Sequence, residues 1–217
     1  MNIKENIEEI RQKIEKARRA SPIAAKSVIL LAASKNQPME AIIQAAEAGI
    51  RDFGENRVQM TDKRLQMTDN RWHLIGALQS NKAKQALEIF DVIQSLDRKS
   101  LADEIVGIRD SGLGIRVKEF YIQVNTGEEP QKSGILPKDA DDFIEYCRGK
   151  LKLPITGLMC VPPANQPPVP HFALLRQIAM RHNLPNLSMG MSGDYEEAIR
   201  MGATCVRVGT ALFGGRV

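Results

Sequence analysis

The sequence predicts a closed barrel of eight parallel strands surrounded by helices, a (β/α)₈ or TIM barrel. The first observation is that eight short apolar runs, each typical of a buried strand, alternate with segments typical of helices. The second is that the connections are short, and strict alternation of strand and helix predicts a parallel sheet. The third is the number eight, which closes such a barrel. An open, doubly wound sheet is the alternative architecture.

The first element is an additional N-terminal helix. Ile3, Ile7, Ile10 and Ile14 follow one another at spacings of four, three and four, which puts them in one apolar stripe of a helix. One short stripe is too little for a coiled coil. We therefore expect residues 1–20 to pack on the barrel, and residues 1–217 to form a single domain.

The remaining elements follow in a regular order after Pro22. Pro38 and Gly49 mark the start and the end of the helix after the first strand. The predicted strands are 28–34, 50–56, 71–76, 91–96, 119–125, 154–161, 186–192 and 204–214, the last with a turn. The predicted helices between them are 38–49, 57–67, 81–90, 99–109, 138–148, 171–182 and 194–202.

The composition excludes several classes of protein. The net charge of +4 is spread without blocks of like charge, so we expect neither nucleic acid nor a membrane as a partner, although a small anion is compatible. The charged N-terminus does not resemble a signal peptide. Three widely spaced cysteines and three histidines lack the spacings of a disulfide framework or a metal site, which favours a reducing, cytoplasmic location and no bound metal.

Chemistry in such a barrel is expected at the carboxyl ends of the strands, where the strand-to-helix loops meet. Polar residues and glycines lie at six of these predicted ends, and they converge on one rim. They are Lys35, Glu55 with Asn56, His73 with Gly76, Asn125, Ser192 with Gly193, and Arg207 with Gly209 and Thr210.

The loops after strands 7 and 8 predict a phosphate site. Each combines glycine with a hydroxyl residue just before a helix or turn, in the segments 190–194 and 209–210. Backbone N–H groups at such positions bind phosphate, and barrels often bind it in these two loops. Ordinary helix caps are the alternative interpretation. The first segment departs from the G-x-S-x-G motif of serine hydrolases, and "GTALFGG" is not a dinucleotide fingerprint.

Lys35 extends the inward-facing alternation of the first strand, residues 29, 31 and 33, and would point into the barrel mouth. A lysine partly removed from water can attack a carbonyl to form a Schiff base. Arg207 shares a face of strand 8 with Gly209, and strand 8 closes beside strand 1. A lysine, a phosphate cradle and an arginine around one volume fit a phosphorylated aldehyde, with pyridoxal 5′-phosphate (PLP) as the candidate. An ion pair that closes the barrel is the alternative role for Arg207.

Six motifs resemble those of a known family, in order and along most of the chain. They are "LLAASKNQPMEAI", "FGENRVQ", "WHLIGALQSNK", "QKSGI", "LSMGMSGDYEEAI" and "VRVGTALFG". In these the sequence resembles the PLP homeostasis proteins, which are single-domain relatives of the barrel domain of alanine racemase.

The resemblance implies a role for each residue of the site. Lys35 would hold PLP as a reversible internal aldimine, and Arg207 would face the pyridine nitrogen. The phosphate would be held by Ser192, Gly193, Gly209 and Thr210. Asn56 would lie near the ring or its hydroxyl, and the pocket would be lined by His73, Ile75 and Met189. Lys132 belongs to the mobile loop of the family, and its role stays open.

The sequence departs from the family pattern at three places. Gln37 replaces a second basic residue, Gly193 replaces an aspartate that is common after "GMS", and the Pro-rich segment 160–171 is shortened. None of these removes an implied contact with the cofactor, although Gly193 alters the phosphate turn.

The predicted function is PLP binding for intracellular PLP homeostasis, without catalytic turnover and with no catalytic residue. An arginine at the pyridine nitrogen disfavours its protonation, which makes the ring a poorer electron sink. The sequence ends after the barrel, without the second domain that supplies a catalytic tyrosine in racemases.

The alternatives are an amino-acid racemase or related PLP enzyme, and a Schiff-base aldolase. Expected partners are PLP and recipient apo-enzymes, and the expected state is a monomer, with a weak dimer as the alternative.

Overall fold

Eight parallel strands pair in chain order, and the last pairs with the first, so the sheet closes into a barrel. The structure is a computed structural model that describes residues 2–59, 67 and 69–214. The strands are β1 (Ile29–Ala33), β2 (Asp52–Glu55), β3 (Arg71–Leu74), β4 (Val92–Leu96), β5 (Glu119–Gln123), β6 (Ile155–Met159), β7 (Asn186–Ser188) and β8 (Cys205–Val208). The predicted barrel is confirmed, and the pairing of β1 with β8 rules out the open sheet.

Helices pack around the barrel and, among the described residues, connect all successive strands except β2 and β3. In the described ranges the α-helices are α1 (Ile3–Arg19), α2 (Met39–Glu47), α3 (Ala83–Ile89), α4 (Lys99–Asp110), α5 (Ala140–Glu145), α6 (Pro168–Arg181), α7 (Tyr195–Arg200) and α8 (Thr210–Phe213). A 3₁₀ turn precedes α3 at Ser80–Lys82 and another precedes α5 at Pro137–Asp139, and α5 continues into a π-helical turn at Tyr146–Lys150. Most of the helix predicted at 57–67 lies outside the described residues. Within the described part of the chain, no helix is long and apolar enough to cross a membrane.

The strands are buried on both faces, as parallel strands in barrels are. One face packs against the helices, where the rings of Phe53 and Trp72 stack with centroids 5.2 Å apart. The other face fills the barrel interior, where Val92, Tyr121 and Met159 form a separate small cluster. This second face carries the residues that matter for the site.

The N-terminal helix α1 packs with its isoleucine stripe inward. Ile3, Ile7, Ile10 and Ile14 are all buried, and each such side chain contributes about 1.5–3 kcal/mol to the free energy of folding. Asn6 donates its side-chain N–H to the Leu212 carbonyl oxygen, 2.9 Å away. The helix contacts α2, α7 and α8, so it covers the side of the barrel where β8 meets β1.

The strands end earlier at the barrel mouth than the apolar runs predict. β1 ends at Ala33 and β7 ends at Ser188, so Lys35 and the Gly190–Asp194 segment lie in loops. Gly190 has a φ of +91°, and a Cβ there would lie 2.5 Å from the Cβ of Ala198. The chain turns out of the sheet at this point because only glycine fits both the backbone angle and the close contact.

Candidate functional site

Lys35 lies on the rim of the barrel, in a turn directly after β1. The preceding residue, Ser34, is fully buried and donates its hydroxyl to Glu55 Oε1 at 2.7 Å. The Ser34 backbone N–H donates to the Gly54 carbonyl oxygen at 3.0 Å. Asn36 then adopts a left-handed φ of +61°. Ser34 thus anchors the end of β1 against β2, while the side chain of Lys35 is exposed at the mouth.

The loops after β7 and β8 are joined by one hydroxyl group. Ser192 Oγ accepts hydrogen bonds from the backbone N–H of Gly209, at 3.3 Å, and of Ala211, at 3.2 Å. Asp194 accepts a further bond from the backbone N–H of Met191, at 2.6 Å, which closes the first loop. The structure therefore brings together the two segments for which the sequence predicts phosphate binding.

This pair of loops lies beside the end of β1. A Cβ on Gly209 would be 3.3 Å from the Ala33 carbonyl oxygen, only two residues before Lys35. Gly193 and Thr210 are exposed, and no atom lies within 4 Å of where a Cβ on Gly193 would stand. The described residues thus leave open space at Gly193 and put small groups between the loops and β1.

Arg207 lies one layer below the rim, inside the barrel. Its Cα pairs with that of Leu31 in the β1–β8 register. Its guanidinium donates to Ser188 Oγ at 2.8 Å and to the Cys160 carbonyl oxygen at 2.7 Å. The residue is 4% exposed, and burial lowers the pKa of the guanidinium below its ordinary value. A guanidinium remains charged in proteins, so Arg207 puts a positive charge under the mouth.

The other predicted pocket residues divide into two groups. Ile75 reaches the interior, since its side chain and that of Leu31 both meet the position of a Cβ on Gly54. Asn56 lies at the rim, where its backbone touches Gly76. By contrast, Met189 is fully buried in the core between the barrel and the helices, so its side chain does not face the barrel interior.

His73 is buried inside the barrel, and both of its ring nitrogens have partners. Nε2 lies 2.9 Å from Asp52 Oδ1, and Nδ1 lies 3.0 Å from Gln94 Nε2. The sequence predicts this histidine as a pocket-lining residue, whereas its contacts in the structure are with other interior side chains.

Sequence reasoning missed Gln94 and Ser188, two buried polar residues that connect His73 to Arg207. Ser188 Oγ donates to Gln94 Oε1 at 2.6 Å. The signal was present, because Gln94 and Val92 share a strand face, and a polar residue facing inward from a buried strand needs a partner.

Lys132 belongs to the loop after β5, which is tied down by hydrogen bonds. Asn125 donates its side-chain N–H to the Glu129 carbonyl oxygen at 2.8 Å. The Lys132 ammonium lies 2.6 Å from the Glu129 carboxylate and donates to the Pro162 carbonyl oxygen at 3.3 Å. This loop therefore contacts the loop after β6, and its lysine has two partners.

Comparison with known proteins gives one family. The family model described as the N-terminal domain of alanine racemase matches residues 2–217. A protein of Vibrio cholerae named pyridoxal phosphate homeostasis protein is 40% identical, over 99% of this chain and 97% of its own. A protein of Aquifex aeolicus with the same name is 39% identical, over 100% of this chain and 99% of its own.

Solved structures agree with this result. PipY of Synechococcus elongatus without PLP superposes with a TM-score of 0.83 at 36% identity, covering 98% of this chain and 100% of PipY. PipY with PLP bound gives a TM-score of 0.80 at 35% identity, with the same coverage. An alanine racemase of Clostridium difficile shares the fold alone, with a TM-score of 0.70 at 12% identity over 57% of its chain. The chain therefore belongs to the family of the alanine racemase N-terminal domain.

Proposed function

We propose that this protein binds PLP reversibly at Lys35 and serves intracellular PLP homeostasis, without turning over a substrate. The observation that carries the proposal is the convergence of Lys35, the Ser192-joined loops and the Arg207 guanidinium on the side of the mouth where β8 meets β1. The names of the relatives and the PLP-bound PipY structure support the same ligand.

The two loops after β7 and β8 suit a phosphate group. The Ser192 hydroxyl binds them to each other, which would hold the backbone of Gly209 and Thr210 in place for an incoming anion. The empty space beside Gly193 gives that anion access to the backbone. We assign Ser192, Gly193, Gly209 and Thr210 to the phosphate, with Asn56, Ile75 and the backbone of Met189 around the ring.

Lys35 is the residue we assign to the covalent bond. When bound, PLP supplies an aldehyde that condenses reversibly with an amine and releases water. Lys35 suits this role because its side chain is exposed at the rim while its backbone is anchored through Ser34. The amine therefore reaches the mouth from a rigid base.

Two features support binding without turnover. The buried Arg207 would disfavour a proton on the pyridine nitrogen, which weakens the ring as an electron sink. Of the three tyrosines in the sequence, Tyr121 lies in the interior cluster, Tyr146 donates to Asp103 on the outside, and Tyr195 is buried beside α1. None of them stands at the mouth as an acid or base.

Absorbance spectroscopy tests the proposal. Purified protein mixed with PLP should show a visible band distinct from that of free PLP, and borohydride should make the label permanent. Lys35→Ala should lose the band, whereas Lys26→Ala, which changes another exposed lysine, should keep it. An unchanged band in Lys35→Ala would refute the assignment.

The racemase alternative rests on the shared fold. It predicts that deuterium from solvent enters Cα of an amino acid at an enzymatic rate. We expect no exchange above that of free PLP across a panel of amino acids. Exchange that Lys35→Ala abolishes would replace our proposal with an enzymatic one.

We also propose that the protein acts in the cytoplasm, as a monomer, and passes PLP to apo-enzymes. The three cysteines, which are free and buried, support a reducing location. Transfer would appear as activity regained by a PLP-dependent apo-enzyme when it is mixed with the loaded protein.

A further inference from the structure

A row of polar side chains, all buried except the half-buried Asp52, crosses the interior of the barrel beneath the mouth. Its members come from five strands, and hydrogen bonds join each to the next. In order from the cation to the anion they are Arg207 of β8, Ser188 of β7, Gln94 of β4, His73 of β3 and Asp52 of β2. We call this row the interior chain. Of these five residues, the function proposed above gives only Arg207 a role in the chemistry of the cofactor ring.

The direction of each hydrogen bond in the interior chain follows from the chemistry of its groups. A guanidinium only donates, so Ser188 Oγ accepts from Arg207 at 2.8 Å and gives its own proton to Gln94 Oε1 at 2.6 Å. The amide nitrogen of Gln94 then faces His73 Nδ1 at 3.0 Å and must donate to it.

This direction sets the state of His73. Because Nδ1 accepts a hydrogen bond, it carries no proton, and the neutral ring holds its proton on Nε2. That proton points to Asp52 Oδ1 at 2.9 Å, and Asp52 also lies 3.6 Å from the Arg71 guanidinium. The interior chain therefore runs one way, from the Arg207 cation to the Asp52 carboxylate.

Two separate contacts orient the guanidinium of Arg207. One Nη atom is held by Ser188 and the other by the Cys160 carbonyl oxygen. The carbonyl belongs to the backbone, whereas the Ser188 hydroxyl can rotate. Its donation to Gln94 Oε1 fixes that rotation and so the direction in which its lone pairs face Arg207. The plane of the guanidinium thus depends on Gln94, although Arg207 and Gln94 share no hydrogen bond in the described part of the chain.

We propose that Ser188 and Gln94 are positioning residues that set the plane of the Arg207 guanidinium toward the cofactor ring, with His73 and Asp52 as the far end of the chain. The proposal rests on the function given above. It assigns no contact with PLP to Ser188 or Gln94. It also gives His73 a role in the interior chain in place of the pocket-lining role that the sequence predicts.

The first experiment needs no cofactor. In isotope-labelled protein without PLP, the four Nη protons of Arg207 should give separate, slowly exchanging NMR signals, because two hydrogen bonds hinder rotation of the guanidinium. Ser188→Ala and Gln94→Met should lose these separate signals. In the wild type the His73 nitrogens should show the Nε2–H tautomer, and Gln94→Met should change their shifts.

Ser95→Ala provides the matched control. Ser95 neighbours Gln94 in β4 and is fully buried, and its hydroxyl has no hydrogen-bond partner among the described residues. This variant also removes a buried serine hydroxyl from the barrel, but it should leave the signals of Arg207 and His73 unchanged. Thermal unfolding of all variants identifies any that fail to fold. Ser188→Ala and Gln94→Met test the interior chain independently, so one folded variant is enough to decide.

The second experiment uses protein loaded with PLP labelled at the pyridine nitrogen. Ser188→Ala and Gln94→Met should shift that nitrogen signal, and Ser95→Ala should not. Unshifted signals in protein that holds PLP would overturn the proposal. If the wild type takes up no PLP, the proposed function fails, and the Arg207 signals without cofactor still decide whether Ser188 and Gln94 orient it.

Discussion

The position of Lys35 depends on the residue before it. Ser34 is fully buried and bonds to both the side chain of Glu55 and the backbone of Gly54, so the chain leaves the sheet at a defined point. The lysine side chain is then free to turn into the mouth while its Cα is held. We propose that this rigid support serves the reversible attachment of an aldehyde to the Lys35 amine.

The Ser192 hydroxyl has a corresponding role in the two loops that we assign to the phosphate. It accepts two backbone N–H groups of the neighbouring loop, and each such bond is worth about 0.5–1.5 kcal/mol in the free energy of unfolding. Losing them in Ser192→Ala frees the two loops from each other.

We predict that Ser192→Ala weakens binding of PLP by about tenfold, which corresponds to about 1.4 kcal/mol. Binding of pyridoxal, which lacks the phosphate, should change little. Dissociation constants for both ligands check this, with Ser111→Ala as control, since Ser111 donates only to the carbonyl of Ile108 at the end of α4. Equal loss for both ligands would contradict the assignment of Ser192 to the phosphate.

At the scale of elements, the loops after β2 and β3 touch backbone to backbone. A Cβ on Gly76 would lie 2.2 Å from the Asn56 carbonyl oxygen, well inside van der Waals contact. The absence of a side chain at Gly76 therefore lets Asn56 occupy its place on the rim. The contact ties a predicted site residue to the packing of two loops.

We predict opposite effects for two glycine-to-alanine variants. Gly76→Ala should lower the free energy of unfolding by about 1–3 kcal/mol through overpacking and should displace Asn56. Gly107 lies in α4, and nothing lies within 4 Å of the methyl group that alanine would add. Gly107→Ala should therefore raise the free energy of unfolding by about 0.5–1 kcal/mol. Urea denaturation of both variants checks the pair. Equal stability would show that the loops move apart without cost.

The sequence predicts these elements well and their ends less well. Apolar runs locate all eight strands because parallel strands are buried on both faces, and the isoleucine spacing of α1 gives its inward stripe directly. The predicted first and seventh strands extend too far at their carboxyl ends. The contacts of Ser34 end β1, and the positive φ of Gly190 keeps the chain after β7 out of the sheet. The hydrophobicity of the sequence indicates neither of these causes.

At the scale of the whole molecule, closure of the barrel makes the site. Lys35 and Arg207 are 172 positions apart in the sequence, and they lie on neighbouring parts of the barrel only because β8 pairs with β1. The interior chain depends still more on register, since it joins side chains of five strands. The alternation of β4 indicates that Gln94 faces inward, but its partners Ser188 and His73 lie on other strands and become apparent only once the strands are aligned.

Folding also buries the three thiols, which gives a test of the whole fold. Burial raises the pKa of Cys147 and of Cys160 to about 12, and that of Cys205 to about 11, from an ordinary value of 9.0. A raised thiol pKa means that the thiol stays protonated at mildly alkaline pH, and the thiolate is the reactive form.

We predict that a thiol reagent labels none of the three cysteines of the folded protein rapidly at mildly alkaline pH. All three should react at once in denaturant, where burial is lost. Counting the labelled thiols over time by mass spectrometry checks this. Rapid labelling of Cys160 in the folded protein would mean that the region around Arg207 is open to solvent.

We propose that Lys35 alone forms the covalent bond with PLP. Borohydride reduction of the loaded protein, followed by peptide mapping, identifies the lysine that carries the label. We predict one modified peptide with the label on Lys35, and no label in Lys35→Ala. A label on Lys132, the lysine of the loop after β5, or a label spread over many lysines, would contradict it.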